Sequence, residues 1–443
     1  MNPLGFMPPA DLAQLVAHRS CKAGVTGSSP VVGSLRKLVS QLRVVKPVKQ
    51  IDISRNPLDL IEKEFAGLYS GEPGLSSIPG GQSAADKALE DLGISGYAAN
   101  RSEVLPKSAR GATVLSPYIR HNLITLKQAF DAVSKAPFKD REKFRDELYW
   151  QEYARHLYAR VGTELFQNLR FKVDWQSEGD GWNREMACVD EVVEELEQDG
   201  WLVNQTRMWL ASHWTVRNGV GWLSGQERMH RELIDGSRAA NLLGWQWTVG
   251  AGTGKPYGFA RWQVEKRAPG ICSGCKLKNA CPIQEFPAET QPRQLEPNPL
   301  LNRDPDPRRT AGPLTPVKLR DPNVVLLTID SLGDADPALT ANPKLPVAFV
   351  FNEKALGKLQ LSSRRIGFYL QTLADLAQRK ELSVFIGDPV AFANSNEVAV
   401  TYAPVPSFRK FQKLAQVHPY PWLAIPQAGT VRSFTAWRKG LGG

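Results

Sequence analysis

Leu233-Ile-Asp-Gly-Ser-Arg-Ala-Ala-Asn-Leu-Leu-Gly-Trp-Gln-Trp247 is the stretch that decides how this chain folds. Asn241 and Trp245 are four residues apart, so a helix here puts both on one face. Alone, an Asn and two tryptophans at such spacing fit core packing as well as a ligand site. The flanks add weight. From Pro57 to about Pro287 apolar residues recur three and four apart, as in Phe144, Leu148 and Tyr149 or Met186, Val189, Val193 and Leu196, which predicts helices. Trp222, in GWLSGQER, stands thirteen residues before Asp235.

Beyond about Arg320 the pattern changes. Val324–Ile329, Val347–Phe351, Leu382–Ile386 and Val398–Tyr402 are short apolar strands. A helix bearing Ile366, Tyr369, Leu370, Leu373 and Leu376 lies between the second and third. Alternating strands and helices predict a doubly wound parallel, Rossmann-like α/β sheet. The expected architecture is therefore α plus α/β. A helical domain over 50–287 is followed by a Pro-rich linker over 288–321 and an α/β domain over 322–443.

At 443 residues and 42% apolar content the chain can bury at least two ordinary cores. No apolar run approaches the roughly 20 residues that span a bilayer, which predicts a soluble, cytoplasmic protein with no membrane partner. Of the formal charge of +10, the first 50 residues hold +6 through Arg19, Lys22, Arg36, Lys37, Arg43, Lys46 and Lys49 against Asp11. Net charge alone is thus a weak pointer to nucleic acid. Residues 1–34 have neither a signal-peptide pattern nor a folding unit. The run AHRSCKAGVTGSSPVVG looks like a transfer-RNA gene read in frame, so this segment, with Cys21, is expected to be non-native or a disordered leader. Gly250–Pro256 is not a phosphate loop, because it is one residue short between its outer glycines and Pro256 follows Lys255 where Ser or Thr is required.

Cys272-x2-Cys275-x5-Cys281-Pro282 supplies three closely spaced thiols, and Cys188 can supply a fourth. That spacing suits a four-thiolate metal site, with a [4Fe–4S] cluster favoured by the Pro after the last Cys and zinc as the alternative. A structural rather than chemical role is expected.

LIDGSRAANLLGWQW resembles the flavin-contacting LIDGDLAANNGGWQW of the DNA photolyase/cryptochrome family, and further motifs fall in register. GATVLSPY at 111–118 is similar to the family's GTSRLSPYL, which implies that Thr113, Leu115 and Ser116 receive the FAD diphosphate at a helix start. The resemblance further implies that Arg207 pairs with Asp235 beside the flavin. Ser237 takes the place of the family's second Asp, and Asn241 faces flavin N5. Trp245 and Trp222 would carry electrons, with Trp175, Trp209 or Trp214 as a third member.

KFRDELYWQEY at 143–153 resembles FLRELYWREF, and WLVNQTRM at 201–208 resembles WMHNRLRM. These matches imply a pocket of Glu147, Trp150, Asn204, Met208 and Trp247 for a pyrimidine dimer flipped out of UV-damaged DNA; photolyases are themselves a standard example of base flipping. Gln151 and Gln205 replace family arginines, which removes phosphate contacts. Val203-Asn204 replaces the His pair of enzymes for (6-4) lesions, which points to cyclobutane dimers. The cysteines are similar to those of the iron–sulfur bacterial branch.

Asp330-Ser-Leu-Gly-Asp-Ala-Asp-Pro-Ala-Leu339 resembles DLRLHDNPAL, the opening of the family's antenna domain, which normally comes first. The chain thus reads as a circular permutation, and an antenna chromophore is allowed for without being identified. The expected function is light-driven repair by a monomeric deoxyribodipyrimidine photo-lyase; a cryptochrome-like light sensor without repair activity is the alternative.

Overall fold

The computed structural model describes residues 48–173 and 179–442. The leader over 1–34, with Cys21, and Trp175 lie outside the described residues.

Among the described residues the first element is β1 (Lys49–Ile51), followed by α1 (Pro57–Glu64) and α2 (Gln82–Glu90). The LSPY motif begins α3 (Ser116–Arg120). Next is the longest helix, α4 (Phe138–Val161), which ends at Gly162, whose φ of 60° lies in the left-handed region open to glycine. Then follow α5 (Ala187–Asp199), α6 (Asn204–Ala211), a π-helical segment Ser212–Arg217, α7 (Trp222–Glu232) and α8 (Arg238–Thr248). The sheet strands are β2 (Val324–Leu327), β3 (Val347–Asn352), β4 (Leu382–Gly387), β5 (Val398–Thr401) and β6 (Ala415–His418). Helix α9 (Ser363–Ala377) joins β3 to β4, and α10 (Phe434–Gly440) follows β6.

The sheet runs β1-β4-β3-β2-β5-β6, with every neighbouring pair parallel except β1, which pairs antiparallel to β4. All four residues of β2 and of β5 are buried, as expected for strands covered on both faces. Helix α9 buries Ile366, Phe368, Tyr369, Leu370, Leu373 and Leu376. Burying a Leu or Ile contributes about 1.5–3 kcal/mol relative to leaving it in water, which outweighs the propensity of any single residue.

Three features depart from the expected segmentation. β1 precedes the helical region yet joins the sheet; three residues are too few for an alternating pattern to show in sequence. Residues Val431 and Trp437, at the other end of the chain, are buried in the helical core with Trp245. The Pro-rich stretch holds two short helices, Pro299–Asn302 and Pro307–Ala311, capped by Asn298 and Asp306, and it buries Leu301, Asp304, Thr310 and Ala311.

In a doubly wound sheet the ligand crevice opens beyond the strand ends where the winding reverses, here beyond β2 and β5. That crevice receives the turn after α3. Leu332 N–H donates to His121 O at 2.9 Å, His121 Nδ1 meets Ile329 O at 2.6 Å, and Asn122 Nδ2 donates to Asp330 O at 2.8 Å. Gly333 lies so close to Asn122 O that a Cβ would overlap it, so only glycine fits there.

Candidate flavin and lesion site

The loop Leu233–Ser237 is tied down from four directions. Ile234 N–H donates to Gly200 O at 2.8 Å, and Ile234 O meets His121 Nε2 at 3.0 Å. Gly236 O accepts from Arg120 Nε at 3.1 Å and from Arg365 Nη2 at 2.6 Å. Arg365 belongs to α9, so one face of the loop is held by a side chain from the sheet region. It also donates to His230 O at 2.9 Å and, through Nε, to the Tyr369 hydroxyl at 2.8 Å. A Cβ on Gly236 would overlap the Arg365 guanidinium, so this glycine is required for the approach.

Asp235 is buried and accepts from Arg207 Nη2 at 2.7 Å through Oδ2, while its Oδ1 has no partner. Ser237 caps α8, its Oγ accepting from Ala240 N–H at 3.4 Å. One turn on, Asn241 Nδ2 donates to Gln226 O at 3.2 Å, and Gln226 Nε2 is buried without a partner. Trp245 is fully buried, with its indole N–H on Met229 Sδ at 3.4 Å.

Around this loop sit four guanidiniums. Arg207 pairs with Asp235 at 2.7 Å, Arg120 with Asp330 at 2.7 Å and Arg238 with Glu227 at 2.6 Å, but among the described residues no carboxylate pairs with Arg365. Burial, reinforced by Arg238, Arg365 and Arg120, holds His230 neutral, well below the ordinary imidazole range. Burial and then Arg120 push His121 down to about 3. The local excess of positive charge favours an anionic group nearby.

The remaining expected flavin contacts lie close by in sequence and differ in exposure. Leu115 is buried at the start of α3, Thr113 is half-buried, and Ser116 Oγ accepts from Trp201 Nε1 at 2.9 Å. Trp222 is buried on α7 and donates to Asn168 Oδ1 at 3.1 Å.

On α4, Glu147 is half-exposed and paired with Lys143 at 2.7 Å and Arg101 at 3.5 Å. Trp150 stacks on Phe434 of α10, with ring centroids 3.9 Å apart and planes at 10°. Trp247 is 39% exposed and tilts against Tyr257 at 5.7 Å; Tyr257 accepts from Gln205 Nε2 at 3.1 Å. Gln205, where the sequence suggested only a lost cation, thus orders the ring beside Trp247. Asn204 is exposed at the start of α6, and Met208 is half-buried one turn further on. Arg120, His121, Gln226, Tyr257, Arg365 and Phe434 carry no motif signal that singles them out. Arg120 and His121 directly follow the LSPY motif, which is the one hint in sequence.

Cys188 on α5 and Cys272, Cys275 and Cys281 line a single pocket with Arg261 and Lys278. Ala187 N–H points to Cys275 Sγ at 3.5 Å. Burial, and then the proximity of the other three thiols, pushes Cys188 up to about 12. Among the described residues no group of three or more ligating side chains is drawn together closely enough to hold a metal ion. The donor chemistry fits a thiolate-bound centre, with two cations to offset its charge. The metal-holding geometry expected from the spacing is not formed among the described residues. No helix among the described residues is long and apolar enough to cross a membrane.

Residues 144–265 match the family model described as the FAD binding domain of DNA photolyase. The chain is 31% identical over 172 residues to a deoxyribodipyrimidine photo-lyase of Alkalihalophilus pseudofirmus, covering 36% of this chain and 35% of that protein. It is 26% identical over 236 residues to one from Synechococcus, covering 47% and 48%. The crystal structure of a class III photolyase from Agrobacterium tumefaciens aligns at a TM-score of 0.33 and 26% identity over 38% of this chain and 37% of that one. The chain therefore spans about a third to a half of the length of these relatives. Residues 144–265 thus resemble the FAD binding domain of DNA photolyase, and the curated relatives that the chain matches in part are named photo-lyases.

Proposed function

We propose that the chain binds FAD against α8 and the Leu233–Ser237 loop and repairs cyclobutane pyrimidine dimers in DNA under light. The observation that carries the reading is a pair of buried, unpartnered polar atoms, one on that loop and one on α7. Asp235 Oδ1, an acceptor, and Gln226 Nε2, a donor, both lack protein partners, and a buried polar group left unpaired costs about 1–3 kcal/mol. A flavin ring, with donor and acceptor atoms on one edge, is a group of the right chemistry to satisfy both.

In this reading Arg207 fixes Asp235, while Arg120 and Arg365 hold the carbonyl of Gly236, so the loop is set before cofactor arrives. Thr113, Leu115 and Ser116 would offer their helix start to the diphosphate. Asn241 would lie beside the ring. When bound, reduced FAD would supply on excitation the electron that splits the dimer. Glu147 would hydrogen-bond the flipped bases, Trp150 and Trp247 would stack on them, and Asn204 and Met208 would border the pocket. Trp150 has Phe434 against one face, so the dimer would take the other or displace Phe434. Cys188, Cys272, Cys275 and Cys281 would hold a [4Fe–4S] cluster, or zinc, as a staple between α5 and the loop after α8.

The test uses anaerobically purified, photoreduced protein and an oligonucleotide carrying one thymine dimer, scored for restored thymine in blue light and in the dark. Light-dependent repair that is lost in Glu147→Ala supports the reading. A protein that binds and photoreduces FAD yet repairs nothing in either condition would move the assignment to a light sensor.

A further inference from the structure

Between residues 224 and 313 the large apolar side chains left exposed among the described residues are three rings: Trp247 at 39%, Trp262 at 54% and Phe286 at 51%. They are linked in space. Trp247 tilts against Tyr257 with centroids 5.7 Å apart, and the next residue, Gly258, backs onto Pro287 so closely that a Cβ would stand 2.4 Å from Pro287 Cδ. Phe286 precedes that proline and meets Trp262 edge to face, with centroids 6.2 Å apart at 74°. An aromatic strip therefore runs over the surface from Trp247 to Trp262.

Both outer rings stand in water on backbone that is held in place. Arg217 Nη2 donates to Phe259 O and, at 2.6 Å, to Glu285 O, the carbonyl just before Phe286. Arg261 N–H donates to Ile283 O at 2.7 Å, and Ile283 is buried. Trp262 lies in the first turn of the short helix Arg261–Arg267. Tyr257 is fixed through its hydroxyl by Gln205 Nε2 at 3.1 Å. Rings presented on a rigid base lose little further freedom when a flat partner stacks on them.

The rim of the strip is cationic. Lys266 stands one turn beyond Trp262 on the same side of its helix, and Lys278 is brought beside Arg261, whose Nη1 donates to Lys278 O at 2.7 Å. Lys266, Lys276 and Lys278 are exposed, and among the described residues none is paired with a carboxylate. Of the carboxylates over 255–289, Glu265 is paired with Arg261 at 3.0 Å and Glu289 with Lys255 at 3.7 Å, which leaves Glu285 against the three lysines. Exposed rings without exposed aliphatic neighbours, rimmed by ammonium groups, match a chain of flat apolar faces joined by phosphates. Every base offers a π face to stack on, and the phosphates between successive bases meet the lysines.

We propose that Trp262 and Phe286, with Lys266, Lys276 and Lys278, form a stacking platform for unpaired bases of single-stranded DNA, separate from the dimer pocket. Its place along the strip from Trp247 suits bases left unpaired when a dimer is flipped out, and that link rests on the function proposed above. Affinity for a lesion-free strand stands apart from it, since stacking and phosphate contact need neither flavin nor light.

The test measures binding of the full chain, in the dark, to a fluorescently labelled oligothymidylate and to an abasic strand of the same length and charge. Wild type should hold the oligothymidylate at least about tenfold more tightly than the abasic strand. Trp262→Ala should lose about tenfold in affinity for the oligothymidylate, the size of one base stack, at an unchanged melting temperature, and Trp262→Phe should recover most of it. Lys266→Gln should lower the slope of log affinity against log salt by about 0.7. Equal binding of the two strands, or wild-type affinity in Trp262→Ala, would overturn the platform. So would self-association that Trp262→Ala abolishes in protein that binds no oligothymidylate, since the strip would then join two copies of the chain. Loss of dimer repair with oligothymidylate binding intact would sink the function proposed above and leave the platform standing; repair without that binding would do the reverse.

Discussion

Glu152→Gln tests a carboxylate that burial holds in its protonated form. Glu152 is fully buried on α4. Its Oε1 accepts from the N–H groups of Leu423 and Ala424 at 2.7 and 2.9 Å, and its Oε2 has no hydrogen-bond partner, with Arg155 standing off at 3.8 Å. Burial outweighs these contacts and raises the carboxyl from 4.5 to about 7. The folded state therefore keeps its proton between pH 4.5 and 7 while the unfolded state has lost it, so stability falls as pH rises through that window and is level above it. At about 1.36 kcal/mol per pH unit the loss is roughly 3 kcal/mol. Gln keeps the acceptor for Leu423 and Ala424 but cannot ionise. Whatever constant cost its amide adds, the stability of Glu152→Gln relative to wild type should rise by roughly 3 kcal/mol between pH 4.5 and pH 8. Urea denaturation at the two pH values measures this difference of differences. A gap that stays constant with pH would refute the argument that Glu152 is held protonated by burial.

Three other outcomes are expected. Arg365→Met removes donors from Gly236 O, His230 O and the Tyr369 hydroxyl but relieves a buried cation, so the net loss should be about 2 kcal/mol, read by denaturation and by weaker FAD retention. His121 and His156 are both held down at about 3 by burial, so each is neutral in the fold and must charge on acid unfolding; their contribution is complete above pH 6.5 and lost as pH falls toward 3, opposite in sign to Glu152, and a melting series from pH 7 to pH 5 checks it. If the four-thiol pocket holds a metal centre, chelation or Cys275→Ser should lower the melting temperature and abolish any thiolate-to-metal absorption, and protein lacking that absorption as purified under anaerobic conditions would count against the centre.

The helix bearing Asn241 and Trp245, the parallel strands, and the spacing of Asp235 from Arg207 were all legible in the sequence. Each depends on a periodicity or on short motifs, which are local properties of the chain. Ser237 as the cap of α8 belongs here too, since a short hydroxyl before a helix satisfies an N–H wherever that helix ends up. Cys272, Cys275 and Cys281 were readable from their spacing as ligands of a metal site, with Cys188 as a possible fourth; all four line one pocket, but among the described residues they do not form a metal-holding group.

Other features came only from tertiary packing, because they join residues with no periodic or spacing relation. Arg365 reaches Gly236 across 129 positions of chain, and Phe434 covers Trp150 from the far end of the molecule. β1 becomes part of the sheet because its three residues find the open edge of β4, a fact no three-residue pattern can encode. Trp214 packs its ring between Gly181 and Gly225, a contact that no local pattern announces. The sequence by itself determined which helices and strands form and which residue types gather near Leu233–Trp247, since those follow from local hydrogen bonding and apolar periodicity. The tertiary structure alone decided which side chains clamp the Leu233–Ser237 loop, which polar atoms are left for a ligand, and which indoles touch, since those depend on close packing between distant segments.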